Sequence, residues 1–308
     1  MADACRPARV RAMAGEYAAA ASAAPVPTVA AASAEPAATS VPTPAPAEPA
    51  AAAPTPKPLS VAIVTYNSAE AVNELLYSMQ TQLDLSRLEV YVIDNASTDN
   101  TALYVERGFP WVRLIRNARN VGFGAAHNQL LSCLHSKYHA VLNPDIVFLE
   151  DSLGQLSDYL DAHLEAVMAT PRVLNRDGSE QHLPKRLPAW RYLLARRILP
   201  ANPLAQRLNR HYTRADEDLS TPTAIEHASG SIFIIRTEAF CQLGGFDERF
   251  FLYFEDNDLS RRAAALGQII YCPQTSVVHG YARDSLRDPR ALAHLLRSAL
   301  RYFRKHRL

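Results

Sequence analysis

Short apolar runs alternate with stretches of helical spacing through the middle of this chain. Leu59–Val64 is the first run. Val72, Leu75, Leu76 and Met79 then recur at the spacing of a buried helix face, with Ser68 placed to cap it. Leu88–Ile93 is a second run, and Thr98 or Asp99 can cap a helix through Val105. Trp111–Ile115 is a third, followed by a loop over 117–124 and a helix from about Ala125 to His135. Tyr138–Asp145 is the fourth; Pro144 stops its ladder because it has no N–H, and Asn143 before it is held extended. Strands alternating with helices predict right-handed βαβ units: an α/β fold of Rossmann-like pattern, with a mainly parallel sheet flanked by helices.

The pattern continues less regularly. A helix over 151–163, a strand Val167–Thr170, a strand Ser229–Ile235 and a short helix Glu238–Leu243 closed by Gly244 and Gly245 are predicted. A helix opening at Glu255 carries Leu259, Ala263 and Leu266 on one face and ends on Gly267; Ile269–Tyr271 and Ser276–His279 read as two last strands. The final helix places Leu292, Leu295, Leu296, Ala299, Leu300 and Phe303 on one side, with His294, Arg297, Arg301, Arg304 and Lys305 elsewhere. Such a helix packs on its own domain or lies on an anionic bilayer, and the first is the commoner case.

Composition changes the picture at two places. Residues 18–58 hold 10 of the 21 prolines and no glycine, so residues 1–58 read as a disordered Ala/Pro-rich tail. Arg6, Arg9 and Arg11 stand near its start without a convincing signal-peptide pattern. From Gln181 to Ala215 there is no acidic residue, while Lys185, Arg186, Arg191, Arg196, Arg197, Arg207, Arg210 and Arg214 give +8. This is a solvated insertion or a surface for an anionic acceptor or membrane headgroups. A net charge of +1 over 308 residues offers no general field for nucleic acid. Four scattered cysteines suit a reducing compartment, and no transmembrane span is expected.

The candidate chemistry sits where strands end. Asp145 is presented at a strand tip, where open α/β sheets bind ligands, and can hold a divalent cation against a diphosphate; Asn-Pro-Asp is also ordinary turn chemistry. His279, ending a late strand, is a second candidate ligand, and an imidazole favours Mn²⁺ over Mg²⁺. Asp94, beside Thr65 and Tyr66, can accept the N3–H of uracil or thymine, or form an Asx turn with Asn95. Glu255 and Asp256 open a helix, where one carboxylate near an acceptor could serve as general base or both could simply cap. Gly122 and Gly124 lack the third glycine of a dinucleotide fingerprint, though a loop opening a helix can still meet a diphosphate.

Taken together, Val64–Asn67, Asp94–Asp99, Asn120–Gly124, Leu142–Asp145, Gly244–Asp256 and Val278–His279 resemble the motifs of family 2 glycosyltransferases with the GT-A fold, nearest the bacterial rhamnosyltransferase-like branch. The resemblance covers roughly residues 59–305. It implies one GT-A domain over 59–308: a nucleotide-sugar-binding half (59–150), an acceptor-binding half (151–280) and a basic C-terminal helix (281–308). It implies an inverting hexosyltransferase that adds one sugar, plausibly L-rhamnose from dTDP-rhamnose, to a lipid-linked or polysaccharide acceptor in cell-envelope glycan assembly. Donor contacts are implied at Thr65, Tyr66, Asn67, Asp94, Asn95, Asn120, Gly122, Gly124, Asn128 and Asn143. Asp145 and His279 are the implied ligands of Mn²⁺ or Mg²⁺, Asp256 the implied base and Glu255 its neighbour. The first carboxylate of the DxD motif is missing, replaced by Asn143. That departure is what supports the other reading, a non-catalytic sugar-nucleotide or glycan-binding protein on the same scaffold. The expected location is the cytoplasm, with peripheral contact at the inner face of the membrane through segments 185–214 and 291–307. A nucleotidyltransferase would want a Gly-rich loop after the first strand, where Thr65-Tyr66-Asn67 stands.

Overall fold

The computed structural model describes residues 57–192, 202–280 and 289–308. The expected tail up to residue 56, Arg196, Arg197 and residues 281–288 lie outside the described residues. Lys57 and Pro58 belong to the fold: Lys57 Nζ donates to the carbonyls of Leu85 and Leu88, and Pro58 O accepts from Tyr138 N.

The strands are β1 (Leu59–Thr65), β2 (Leu88–Asp94), β3 (Val112–Arg116), β4 (Tyr138–Leu142), β5 (Ile146–Phe148), β6 (Ala166–Leu174), β7 (Thr223–Ile225), β8 (Ile232–Arg236) and β9 (Gln268–His279). The helices are α1 (Ala69–Gln82), α2 (Thr101–Gly108), α3 (Phe123–Asn128), α4 (Ser152–Ala162), α5 (Pro203–Thr213), α6 (Thr237–Gln242), α7 (Glu255–Ala263) and α8 (Pro289–His306). One sheet runs β3-β2-β1-β4-β8-β6-β9-β5, with β7 also on β9. The β3-β2-β1-β4 half is parallel, as the alternation predicts. Beyond β4 the sheet is mixed: β8 is antiparallel to β4 and β6, while β6 and β9 run parallel.

The strands alternate strictly between two cores. Val61, Ile63, Val90, Val92, Ala140, Leu142, Ile232 and Ile234 face one side, against Val72, Leu75, Leu76 and Met79 of α1 and Leu153, Leu156 and Leu160 of α4. Ala62, Val64, Tyr91, Ile93, Val141, Phe233 and Ile235 face the other, against Phe240 of α6 and Leu259 and Ala263 of α7. Each fully buried aliphatic side chain is worth about 1.5–3 kcal/mol. Helix propensity moves only tenths per residue, so packing decides where α1 lies.

Local expectations meet corrections. Ser68 makes no side-chain cap; Asp99 Oδ2 accepts from Ala69 N instead, so the second loop caps the first helix. The helix expected to His135 stops at Asn128, after which Leu130 N and Leu131 N turn back to the carbonyls of His127 and Asn128. Helix α7 ends at Ala263 rather than Gly267; a Cβ on Gly267 would lie 2.8 Å from Glu165 O, so that glycine serves a close approach. The two expected last strands are one, bulged where its register against β6 jumps from Cys272 to Ser276.

The basic segment is also corrected. Arg186 pairs with Glu217 and Glu226, Arg214 with Glu217, and Arg210 with Asp216. Asp216, Glu217 and Glu226, just beyond that segment, thus pair with three of its eight basic residues. Residues 203–213 form a capped helix, α5, with Asn202 Oδ1 accepting from Leu204 N.

The C-terminal helix packs on its own fold, by a rotated stripe. Ala299, Tyr302 and Phe303 are buried with Phe250 and Phe254, while Leu296 and Leu300 face solvent beside Arg297, Arg301 and Arg304. Its end is clamped on the fully buried Asp258 of α7, by the Lys305 charge (Nζ 2.5 Å from Oδ1) and by a hydrogen bond with His306 Nε2 at 2.8 Å. Lys305 also reaches Asp247 at 2.8 Å.

Candidate active site

The tips of β1, β2 and β4 carry the predicted residues, and one run of contacts joins them. Asp94 ends β2, opposite Thr65 on β1. Its Oδ1 accepts from Thr65 Oγ1 at 3.1 Å and Ser97 Oγ at 2.5 Å, and its Oδ2 accepts from Ser97 N at 3.1 Å. A carboxylate has about four acceptor positions. Three are taken by the protein, so the Asx turn and a further acceptor role coexist on Asp94. Asn95 Nδ2 donates to Gly122 O at 3.2 Å, and Asn117 Nδ2 donates to Asn95 Oδ1. Tyr66 is half exposed. Asn67, in the left-handed region at φ 50°, spends its carbonyl on Thr98 and its N–H on Ser97 Oγ, joining the first two loops.

The glycine loop holds the other half of the site. Asn120 Oδ1 accepts from Gly122 N, and Phe123 N donates to Phe251 O. Gly122 sits at φ +93°, and a Cβ there would lie 2.6 Å from Phe251 O. Gly124 is packed on Phe246, which a Cβ would approach to 2.7 Å. Both glycines therefore admit the 246–251 segment. Asn128 has both amide hydrogens engaged, on Phe246 O and Glu248 Oε1, and its Oδ1 accepts from Phe246 N. It fastens that segment to the glycine loop.

The fastened segment delivers the carboxylates. Tyr253 and Phe254 both have positive φ, 67° and 69°, without being glycine. Such backbone strain persists where surrounding packing over-determines it; here Phe250, Phe254 and α8 do so. Directly after it, Asp256 Oδ2 accepts from Gly230 N at 3.0 Å, and Oδ1 accepts from Asn257 N at 2.7 Å and Asn257 Nδ2 at 2.8 Å. His227 Nε2 lies 3.2 Å from Oδ2. Burial pushes the Asp256 carboxyl up, but the His227 charge and the Gly230 and Asn257 donors outweigh it and hold it at about 2. Glu255 goes the other way. It is buried, its Oε2 finds no partner among the described residues, and burial followed by the Asp256 charge raises it well above the ordinary 4.5. Two neighbouring carboxyls are thus pushed in opposite directions, a pattern that separates acid and base roles.

Glu255 carries a stability consequence. An acid raised on folding favours the fold fully below its unfolded pKa, and that contribution drains away as pH climbs towards the folded value. Glu255→Gln is therefore expected to raise the melting temperature at neutral pH and flatten its decline above about pH 4.5. A melting temperature that follows the native pH curve would show that the neutral Glu255 carboxyl does not oppose folding.

Gly230 links this pair to the remaining residues. Asn143 N, at the tip of β4, donates to Ser231 O at 2.8 Å, and Asn143 Nδ2 lies 3.4 Å from His279 Nε2. His279 ends β9, paired in register with Ile146, and its Nε2 is 3.1 Å from Asp145 Oδ1. Gln181 fixes the ring. Its Nε2 donates to His279 O and to Asn175 Oδ1, which turns its Oε1 onto His279 Nδ1 at 3.0 Å. Nδ1 then carries the proton, and Nε2 aims a lone pair at Asp145. Two acceptors at 3.1 Å repel unless a proton or cation lies between them. Neighbouring ligands about 2.1 Å from one octahedral ion lie about 3.0 Å apart, so the pair fits a divalent cation. Among the described residues no cluster of three or more His, Cys, Asp or Glu side chains could hold a metal.

Sequence reasoning missed His227, Gln181 and Arg176. Arg176 is held by Glu74 of α1 and lies beside Gly280, where its charge is felt by Asp145. None of the three falls in a motif. Only the turn at Asn175–Ser179, with Gly178 at φ 84°, is signalled by the sequence.

A carboxylate-ended parallel half-sheet, continued by a mixed half that carries a second acidic pair, is the GT-A arrangement. Solved structures agree on the fold. A mannosyltransferase of Pyrobaculum calidifontis in complex with GDP-Man and Mn²⁺ superposes with a TM-score of 0.57 at 20% identity, over 82% of this chain and 65% of that one. Residues 1–349 of Staphylococcus aureus TarS in complex with UDP give 0.53 at 17%, over 73% and 61%. The chain thus spans less than two thirds of either structure. The profile of Glycosyl transferase family 2 matches residues 60–244, and the chain belongs to that family. It is similar to the N-acetylglucosaminyl-diphospho-decaprenol L-rhamnosyltransferase of Mycobacterium tuberculosis, 28% identical over 247 residues, 75% of this chain and 78% of that protein. The rhamnosyltransferase WbbL of Escherichia coli K12 is 25% identical over 200 residues, 61% and 72% of the two chains.

Proposed function

We propose that this family 2 glycosyltransferase moves one L-rhamnose from dTDP-L-rhamnose to a lipid-linked or polysaccharide acceptor, with inversion at the anomeric carbon. One observation carries the reading: Asp256, with both carboxylate oxygens held by Gly230 and Asn257, is joined through Gly230, Ser231 and Asn143 to Asp145 and His279. The names of the two rhamnosyltransferase relatives support the donor, and the decaprenol diphosphate in one of them supports a lipid-linked acceptor.

In this reading Asp94 accepts the N3–H of thymine or uracil on the position its own loop leaves free, with Tyr66 near the ring. Asn95, Asn120, Gly122 and Gly124 shape the wall beside the nucleotide. Asp145 and His279 would hold Mn²⁺ or Mg²⁺, which neutralises diphosphate charge as the nucleotide departs. Asp256 receives the proton of the acceptor hydroxyl, beside a Glu255 carboxyl that burial biases towards its protonated form. A lipid acceptor asks for a membrane nearby. Among the described residues no helix is long and apolar enough to cross one. The exposed Leu296 and Leu300 beside Arg297, Arg301 and Arg304 suit a surface that rests on anionic headgroups at the inner face of the cytoplasmic membrane.

Thermal stability against UDP-, dTDP- and GDP-sugars, with and without Mn²⁺, tests the donor. A donor at about 100 times its Kd adds about 2.7 kcal/mol. Stabilisation by dTDP-rhamnose that requires Mn²⁺, with dTDP released in the presence of acceptor, is the expected result. Binding without turnover against any acceptor would favour a sugar-nucleotide-binding protein; stabilisation by GDP-sugars alone would refute the donor.

A further inference from the structure

His227 lies between β7 and β8, outside every motif of the sequence. It is 8% exposed, and its Nε2 is 3.2 Å from Asp256 Oδ2. Neither ring nitrogen has an aligned hydrogen-bond partner among the described residues, yet Nε2 is close enough to Asp256 to interact by charge and to share a proton with it. Asp256 does not need it as an anchor, because Gly230 N, Asn257 N and Asn257 Nδ2 already hold both carboxylate oxygens. A buried imidazole left without hydrogen bonds is costly. Yet the loop is fixed in this place: Ser260, one turn beyond Asp256 on α7, accepts from Ala228 N at 3.1 Å and donates to Ala228 O at 3.4 Å. The same helix therefore sets the base and its neighbour against each other.

We infer that His227 is a positioning residue that governs the basicity of Asp256 and shares the proton that Asp256 removes. The inference rests on Asp256 acting as the base proposed above. With an imidazolium at 3.2 Å, Asp256 is a charge-paired carboxylate and a weak base. With a neutral imidazole the pairing charge is gone and the carboxylate gains basicity. In the transfer, the acceptor O–H bond breaks and its electron pair forms the new glycosidic bond. The nucleoside diphosphate leaves with the electrons of the old bond, and the proton comes to rest between Asp256 Oδ2 and His227 Nε2. Other titratable groups stand around the pair. Glu255 is pushed up by burial, and Glu226 is taken by Arg186. Tyr302 of α8, raised by burial, feels the charges of Arg261, Asp258 and Asp256.

The test is the pH profile of kcat for the native enzyme and His227→Asn, with dTDP-rhamnose and acceptor. In the native enzyme an acid limb set by His227 is expected. In His227→Asn that limb should move down by about one pH unit or more, with kcat lower by about tenfold at the plateau and KM for the donor unchanged. A uniform fall in kcat with the limb in place would mean a structural role and overturn the inference. A second measurement needs no turnover and no His227 variant. Histidine NMR titration of the native protein and Asp256→Asn should show the His227 midpoint falling by about one unit, a tenfold loss of proton affinity. An unchanged midpoint overturns the inference even in a folded, active protein. Should no donor turn over, the proposed function fails while the titration still decides the pair.

Discussion

Asp256→Asn is expected to lower kcat by about 10²–10⁴-fold, the usual share of a general base, while donor binding stays intact. The asparagine keeps the shape of the side chain, and one of its polar atoms can still meet Gly230 N or Asn257 N. What it cannot do is take a proton from the acceptor hydroxyl. Single-turnover transfer and donor-dependent melting, measured on the same preparation, separate the two effects. Loss of donor stabilisation together with kcat would remove Asp256 from the base role. The native site makes the same point through pH. A carboxyl held at about 2 stays ionised through the working range, so acid loss of activity must come from another group.

Asp145→Ala is expected to abolish the Mn²⁺-dependent part of donor stabilisation. The variant leaves His279 Nε2 without the Asp145 carboxylate opposite it, and among the described residues no larger cluster of His, Cys, Asp or Glu could take its place. At a donor concentration about 100 times the native Kd, the gain of about 2.7 kcal/mol should fall to a small metal-independent remainder. Melting curves with and without Mn²⁺ read this directly. An Asp145→Ala protein with undiminished metal dependence would place the cation elsewhere. His279 is held by Gln181 whether or not Asp145 is present, so the loss should not be one of folding.

Much of the first half was legible because buried parallel strands are written as unbroken apolar runs. Leu59–Val64 and Leu88–Ile93 lie within about a residue of the observed limits, whereas the fourth strand, expected through Asp145, stops at Leu142 and leaves Asp145 in the turn before β5. Asp94 followed directly as the acidic end of β2. Strands β5 and β7 were missed because each has three residues, too few for any period to show. Cys272-Pro273 read as an end of β9, where the chain only bulges. Helix α5 was hidden because its charges seemed unbalanced until Asp216 and Glu217 were brought alongside. The buried face of α8 was placed one row off: Leu296 and Leu300 look like core by hydrophobicity alone, but the partner surface is aromatic and selects Tyr302 and Phe303. His227 and Gln181 were illegible for a different reason. Their meaning comes from contacts at sequence separations of 29 and 98 residues, which no local pattern carries.

The order of the sheet has a consequence during synthesis. Strand β4 finds β1 at once, but its other edge is covered only by β8. On the order of 90 residues must be added between the two, taking about 5–20 s at ordinary elongation rates. For that interval the nascent chain presents a bare, apolar strand edge, the kind that seeds pairing between chains. The hazard belongs to the ribosome-bound intermediate, because β8 seals that edge in the finished enzyme. Yield in a fast-translating host should therefore respond to how quickly residues 143–236 are made and to chaperones that hold the open edge.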